Sequence, residues 1–171
     1  GLWFVKDVVE KYNLPVEDIK KLEDLTPIYQ AVKDNEPNMI PARDGQPTIF
    51  QERMTGVGTT GLSIDKDGNV TDRLEETMPG YRVMREWYEK GFFPSDVATM
   101  TDETSLIKAK KIFSRYSRQL PGVSEKHRIS YDYDVVNVAT SEPILSRSGV
   151  QSTITAVSAT SENPIRALKL V

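Results

Sequence analysis

The sequence contains no cysteine and only one histidine, His127. The absence of cysteine excludes a disulfide framework and any thiolate metal site. A single histidine, in a chain with no G-x-S-x-G serine, gives no support for a zinc site or for a nucleophile–histidine triad. We therefore expect no metal, no cofactor and no catalytic residues.

The chain also lacks a long apolar run and a strong excess of charge. No run approaches the roughly 20 apolar residues that a membrane span requires. The net charge is −3, which argues against nucleic acid as the main partner. Hydrophobic residues make up 38% and charged residues 27% of the 171 positions, so the composition is that of one folded domain with a real core.

Both ends of the chain are apolar where chain termini are usually polar. It opens with GLWFV and closes with SENPIRALKLV, in which Ile165, Leu168 and Val171 begin a helical stripe that stops with the chain. A helix of about two turns is marginal on its own. We therefore expect this sequence to be a piece of a longer protein.

Apolar periodicity predicts six helices. In the first, the opening apolar run continues into a helix at the spacing of Val5, Val8, Val9 and Tyr12. The predicted helices cover residues 5–12, 15–22, 26 to the DNEPN stretch, 78–90, 102–110, and 162 to the end, the last one capped by Ser161 with Pro164 in its first turn. Gly91 is expected to be the C′ residue of the fourth helix.

Strands are predicted from alternation and from β-branched composition. They lie in NMIPA, in a hairpin at LSIDKDGNV, and in KIFSRYS, RISYDYDVVNV and VQSTITAVSA. Helices and strands interleave without repeats, which favours an α/β or mixed domain.

Two glycine-containing motifs have competing interpretations. GVGTTG, from Gly56 to Gly61, matches a dinucleotide-binding pattern, but no helix follows it, and a flexible loop is the better interpretation. DKDGN resembles part of a calcium loop. With Gly68 at the sixth position, the twelfth is Leu74, which cannot supply the required carboxylate, so a hairpin turn is favoured.

Two further motifs carry charge. YDYD places Asp132 and Asp134 on one face of a predicted strand, where paired carboxylates are compatible with glycoside hydrolysis, although a solvated edge or hinge is favoured. KAKKIFSRYSRQ interleaves basic and aromatic residues as in single-stranded nucleic-acid binders. Since the whole chain is acidic, a polar groove for a small neutral or anionic ligand is the preferred functional interpretation.

A set of aromatic and polar residues is left without another role. Aromatic rings stack on the C–H faces of sugars, while amides and guanidinium groups bond the hydroxyls. The alternative for Trp3 and Phe4 is a plain core position. The candidate ligand-binding residues are Trp3, Phe4, Arg43, Tyr116, Arg118 and Gln151.

The order of several segments resembles the extracellular solute-binding proteins of ABC importers, particularly the large Gram-positive lipoproteins of that family. The segments are GLWFVKDVVEKYNLP, KKLEDLTPIYQAVKDNEPNMIPA, YRVMREWYEKGFFPSD and SEPILSRSGVQSTITAVSATSENPIRALKLV. In the family an aromatic residue before a KD helix start faces the sugar, which implies that role for Phe4, ahead of Lys6 and Asp7. A family tryptophan that follows a later strand corresponds to a position near Tyr116.

The resemblance implies one lobe of a type II periplasmic-binding-protein-like fold, with helices packed on a small mixed sheet. Residues 1–136 then form most of the second lobe, and residues 137–171 supply a crossing strand and a strand and helix that return toward the first lobe. The implied mechanism is closure around a sugar or oligosaccharide, followed by recognition by a membrane permease. The full-length protein would be extracellular and anchored by an N-terminal lipid that this sequence does not include.

Two other functions remain open from the sequence. One is a glycoside-active enzyme that uses Asp132 and Asp134. The other is an interaction module that forms a dimer through exposed sheet edges, since edges without neighbours tend to pair.

Overall fold

The computed structural model describes residues 1–43, 61–64, 67–116, 122–139, 156–158 and 160–169. The chain divides into two units, Gly1–Ser141 and Glu142–Val171. The described part of the second unit contains one helix, α6, at Pro164–Leu168. That helix begins at Pro164, two residues later than a cap at Ser161 predicts. The structural elements named below all belong to the first unit.

A four-stranded sheet organises the first unit. Its strands are β1 (Leu2–Val5), β2 (Ile40–Ala42), β5 (Ile112–Tyr116) and β6 (Val135–Val138), in the order β2–β5–β1–β6. β2 runs parallel to β5, and β1 runs antiparallel to both β5 and β6. The carboxyl ends of β2, β5 and β6 therefore meet the start of β1 at one edge of the sheet, here called the carboxyl edge.

The described residues of the first unit also contain five α-helices and a hairpin. The helices are α1 (Lys6–Tyr12), α2 (Leu25–Asn35), α3 (Leu74–Glu89), α4 (Glu103–Lys108) and α5 (Val123–Tyr131). The hairpin pairs β3 (Leu62–Ile64) with β4 (Val70–Asp72). Gly68 in its connection has a φ of 88°, a backbone conformation that glycine adopts without strain. The predicted hairpin is confirmed.

An aromatic cluster fastens α2 and α3 together on the sheet. The Tyr29 ring lies 5.0 Å from the Trp87 ring and 6.0 Å from the Phe92 ring, measured between centroids. The Trp87 indole donates a 2.8 Å hydrogen bond to the Thr26 hydroxyl. α3 ends as predicted, because Gly91 takes up a φ of 66° just beyond it.

The opening run corrects the first helix prediction. Leu2–Val5 is a strand, and α1 begins only at Lys6. All four strand residues are buried, because β1 has a neighbour on each side and packing on both faces. Such a strand shows a continuous apolar run without alternation, which periodicity alone does not distinguish from a buried helix.

Residues 15–22 form no continuous helix. Two short 3₁₀ turns, Val16–Asp18 and Leu22–Asp24, replace the predicted second helix. The Asp24 carboxylate accepts the backbone N–H groups of Lys20 and Lys21, each at 3.0 Å. These bonds lower the pKa of Asp24 and give the backbone an alternative to helical hydrogen bonds.

The RISYDYDVVNV segment is also corrected. α5 continues to Tyr131, Asp132 has a φ of 61°, and β6 begins only at Val135. Residues 128–131 are helical rather than extended because His127 and Tyr131, four residues apart, place their rings on the same face of α5, with centroids 4.7 Å apart. Asp132 and Asp134 therefore do not share the face of a strand. The predicted strand VQSTITAVSA and most of GVGTTG lie outside the described residues.

Candidate functional site

Two of the predicted ligand-binding residues meet at the carboxyl edge. Arg43 directly follows β2, and its backbone N–H donates to the Ser114 carbonyl at 3.3 Å. Tyr116 is the last residue of β5 and lies opposite Leu2 in the register of β1. In open α/β sheets, ligands bind in the crevice outside the carboxyl ends of the strands. The topology therefore makes this edge the candidate ligand site.

A three-residue ionic cluster lies at this edge. A guanidinium nitrogen of Arg43 is 3.3 Å from the Glu103 carboxylate, and Arg115 Nε is 2.5 Å from the same carboxylate. The exposed fractions of the side chains are 17% for Arg43, 19% for Glu103 and 36% for Arg115. Glu103 is placed by the start of α4, where the Asp102 carboxylate accepts the Ser105 N–H at 3.2 Å. One carboxylate thus joins the ends of two neighbouring strands.

A row of side chains continues from this cluster across the sheet. Trp3 on β1 lies opposite Arg115 on β5 and opposite Asn137 on β6. The Asn137 amide donates to the Ser124 hydroxyl on α5. The Oδ1 atom of Asn137 is buried and has no hydrogen-bond partner among the described residues. The row therefore places the side chains of Asn137, Trp3 and Arg115 next to one another. Each lies one residue along its strand from the carboxyl edge.

His127 covers the Trp3 ring. Its imidazole is 6% exposed and lies among three rings, with centroid distances of 4.9 Å to Trp3, 4.7 Å to Tyr131 and 4.8 Å to Tyr133. Burial lowers the pKa of His127, because the charged imidazolium loses its hydration. Burial also raises the pKa of Tyr133 to about 12, and the Tyr133 hydroxyl donates to the Ile107 carbonyl at 2.9 Å. This neutral cluster packs over the Trp3 ring of the row.

The remaining predicted ligand residues occupy different positions. Trp3 is 3% exposed and Phe4 is 0% exposed, so both lie in the core just below the edge. The Phe4 ring packs 5.5 Å from the Phe113 ring. Arg118 and Gln151 lie outside the described residues. The core interpretation of Trp3 and Phe4, which the sequence left open, describes their placement here.

The candidate ligand-binding residues named from the sequence do not include Glu103, Arg115 or Asn137, although Arg115 belongs to the KAKKIFSRYSRQ motif for which a polar groove is the preferred functional interpretation. Arg115 carries a signal in hindsight, because it stands in the predicted strand KIFSRYS next to Tyr116. Glu103 carries none, since its pairing with Arg43 joins distant parts of the chain.

Asp134 lies at the opposite end of the sheet from the candidate site. It directly precedes β6, and its carbonyl accepts the Lys6 N–H at 3.1 Å. Lys110 forms an ion pair with Asp7 at the same end. A cavity of about 250 Å³ is lined by Lys6, Asp7, Glu10, Lys110 and Asp134. The described residues contain no group of three or more histidine, aspartate or glutamate side chains placed to hold a metal ion.

Among the described helices, none combines the length and apolar character that crossing a membrane demands. No known family model matches the chain.

Solved structures with a similar fold include solute-binding proteins of transport systems. The N-glycan transport solute binding protein NgtS from Streptococcus pneumoniae superposes on 78% of this chain and 31% of its own, with a TM-score of 0.60 and 20% identity. The same protein in complex with Man1GlcNAc gives a TM-score of 0.59. The binding protein MsmE from Bacillus subtilis covers 82% of this chain and 38% of its own, with a TM-score of 0.57 and 13% identity. The fold is therefore an α/β lobe of the periplasmic-binding-protein-like class.

A curated relative agrees with this class. A carbohydrate ABC transporter substrate-binding protein from Streptococcus pneumoniae serotype 4 is 25% identical over 99 residues, which are 54% of this chain. The match spans 20% of the length of that relative. The resemblance to solute-binding proteins of ABC importers is thereby confirmed.

Proposed function

We propose that this chain supplies one wall of the sugar site in a solute-binding component of an ABC transporter. The observation that carries the proposal is the meeting of Arg43, Arg115 and Tyr116 at the carboxyl edge of the sheet. Guanidinium and phenol groups donate hydrogen bonds to sugar hydroxyls, and the tyrosine ring offers an apolar face. The sugar-binding relatives support a sugar or oligosaccharide as the ligand.

Arg118 and Gln151 are proposed to contact the same ligand. For Trp3 and Phe4 the proposed role is to support the edge from below, which agrees with their burial.

The proposed mechanism is domain closure rather than chemistry. Residues 1–136 act as most of the second lobe, and residues 137–171 return toward a first lobe that this sequence does not contain. Binding at micromolar strength corresponds to about 8 kcal/mol. Only the part of that free energy that differs between open and closed states drives closing. The closed form is the one that a membrane permease recognises.

We propose an extracellular location with a lipid anchor at the start of the full-length protein, and no catalytic activity. Asp132 has a φ of 61° after α5 and Asp134 precedes β6, so the two do not share the face of a strand as the enzyme hypothesis expects, which supports this part of the proposal. Turnover of a chromogenic glycoside that disappears in Asp132→Asn would overturn this part of the proposal.

A panel of Man1GlcNAc, Man5GlcNAc and maltotetraose tests the proposed function. We expect saturation-transfer NMR to detect weak binding to the 171-residue chain. We expect little heat in isothermal titration calorimetry, because one wall makes only part of the contacts. Tight calorimetric binding would contradict a half-site. Absence of any saturation transfer across the panel would contradict sugar binding.

A further inference from the structure

We infer that Glu103 is a positioning residue that holds Arg43 and Arg115 in the orientation required for ligand binding. The inference rests on the proposed function and adds a residue to the same site. Glu103 itself need not touch the ligand, because it acts through the two arginines.

One carboxylate contacts two arginines, one that follows β2 and one on β5. Glu103 Oε2 is 3.3 Å from Arg43, which follows β2, and Glu103 Oε1 is 2.5 Å from Arg115, which lies on β5. β2 and β5 are parallel neighbours, so their carboxyl ends present the two arginines to the same region. Removing the carboxylate therefore takes one ionic partner from each of the two guanidinium groups.

Holding an arginine in place matters because its side chain is long and loses much rotamer freedom when it is ordered. A ligand that meets ordered arginines does not have to supply that ordering itself. The Glu103 side chain is four-fifths buried, with 19% exposed, so water competes weakly for its oxygens. Its backbone position is set by α4, whose first turn is capped by Asp102.

The chain offers a matched control in Glu36. This carboxylate also joins two groups, since Lys11 Nζ and the Tyr12 hydroxyl each lie 2.8 Å from its Oε1 atom. Glu36 precedes β2 and so lies toward the opposite end of the sheet from the candidate site. Glu36→Gln removes a bridging charge without disturbing the carboxyl edge.

The experiment compares the 171-residue chain with Glu103→Gln, Glu103→Asp and Glu36→Gln. Dissociation constants come from amide chemical-shift titrations with whichever of the three panel sugars gives the largest shifts. The Nε–Hε signals of the arginines are recorded without sugar, and unfolding in urea is measured in parallel. We expect Glu103→Gln to weaken binding about tenfold, which corresponds to about 1.4 kcal/mol, because each arginine loses an ionic partner. We also expect it to shift the Arg115 Nε–Hε signal. Glu36→Gln is expected to change neither the dissociation constant nor the Arg115 Nε–Hε signal.

The outcomes separate the inference from the function on which it rests. Equal dissociation constants for the original chain and Glu103→Gln would overturn the inference alone. Equal weakening by Glu103→Gln and Glu36→Gln would also overturn it, because the effect would then follow general stability. If Glu103→Gln does not fold, Glu103→Asp gives the same comparison, since it keeps the charge and withdraws the carboxylate by one methylene. No shifts with any panel sugar would overturn the proposed function, and the role of Glu103 with it.

Discussion

The indole of Trp3 and the imidazole of His127 pack with centroids 4.9 Å apart and ring planes tilted by 58°. Trp3 belongs to the sheet and His127 to α5, so this contact fastens the helix over the row that leads to the candidate site. Both side chains are buried. The contact therefore links the stability of the core to the geometry of the carboxyl edge.

Removal of the indole should be costly. Trp3→Ala deletes a side chain that is 3% exposed, and we expect the free energy of unfolding to fall by about 3–5 kcal/mol. Urea denaturation measures this change. Ile129→Ala is the control on the same helix as His127, because Ile129 is 82% exposed, and its effect should stay within about 0.5 kcal/mol. Equal losses for the two variants would contradict the packing described for Trp3.

Acidification should destabilise the fold through His127. Its pKa is lowered from 6.5 by burial, so below that value the unfolded chain takes up a proton that the folded chain does not. The contribution of His127 is therefore fully present above pH 6.5 and is lost as the pH falls toward the folded pKa. Urea denaturation over this range measures it. We expect the free energy of unfolding to fall less steeply with decreasing pH in His127→Gln than in the original chain. An identical pH dependence in the two proteins would contradict the assignment.

Tyr133 should titrate later than an ordinary tyrosine. Burial raises its pKa from 10.0 to about 12, so its phenol stays neutral while exposed tyrosines ionise. The neutral Tyr133 phenol therefore stabilises the fold fully below pH 10, and this stabilisation is lost as the pH rises toward 12. Ultraviolet absorbance of tyrosinate follows the titration. Tyr133→Phe should remove a transition that lies above those of the exposed tyrosines, and loss of one of the earlier transitions instead would contradict the prediction.

Removal of the Ser114 hydroxyl should lower the free energy of unfolding more than removal of an exposed hydroxyl would. It is 1% exposed and lies 2.9 Å from both the Tyr29 hydroxyl and the Pro41 carbonyl. Ser114→Ala leaves these buried groups without that partner, so we expect a loss of about 1–3 kcal/mol in the free energy of unfolding. Chemical denaturation gives the value. Ser105→Ala, at an exposed position of α4, serves as the control and should have little effect.

Local patterns predicted the elements that depend on neighbours in sequence. Met84 and Trp87 mark the buried side of α3, and Gly91 marks its end, because helix periodicity and left-handed caps are local properties. The hairpin of β3 and β4 is local for the same reason. Leu2–Val5 and residues 128–131 were assigned wrongly because burial between neighbouring strands and the packing of His127 on Trp3 decide them.

The candidate site was predictable only in part. Arg43 and Tyr116 could be named as polar and aromatic residues left without another role, and Tyr116 also from the family resemblance. That they lie at the same edge follows from the order β2–β5–β1–β6, which no local pattern contains. Glu103 could not be predicted from the sequence, because its contacts with Arg43 and Arg115 form only when β2, β5 and α4 pack together.

Amide chemical-shift mapping of the isotopically labelled chain with the panel sugars tests the central claim most directly. The carboxyl edge is proposed to be the sugar-binding wall, so we predict the largest shifts at Arg43, Arg115, Tyr116 and Asn137. Shifts concentrated instead around the charged cavity at the opposite end of the sheet, at Lys6, Asp7, Glu10 and Lys110, would contradict it.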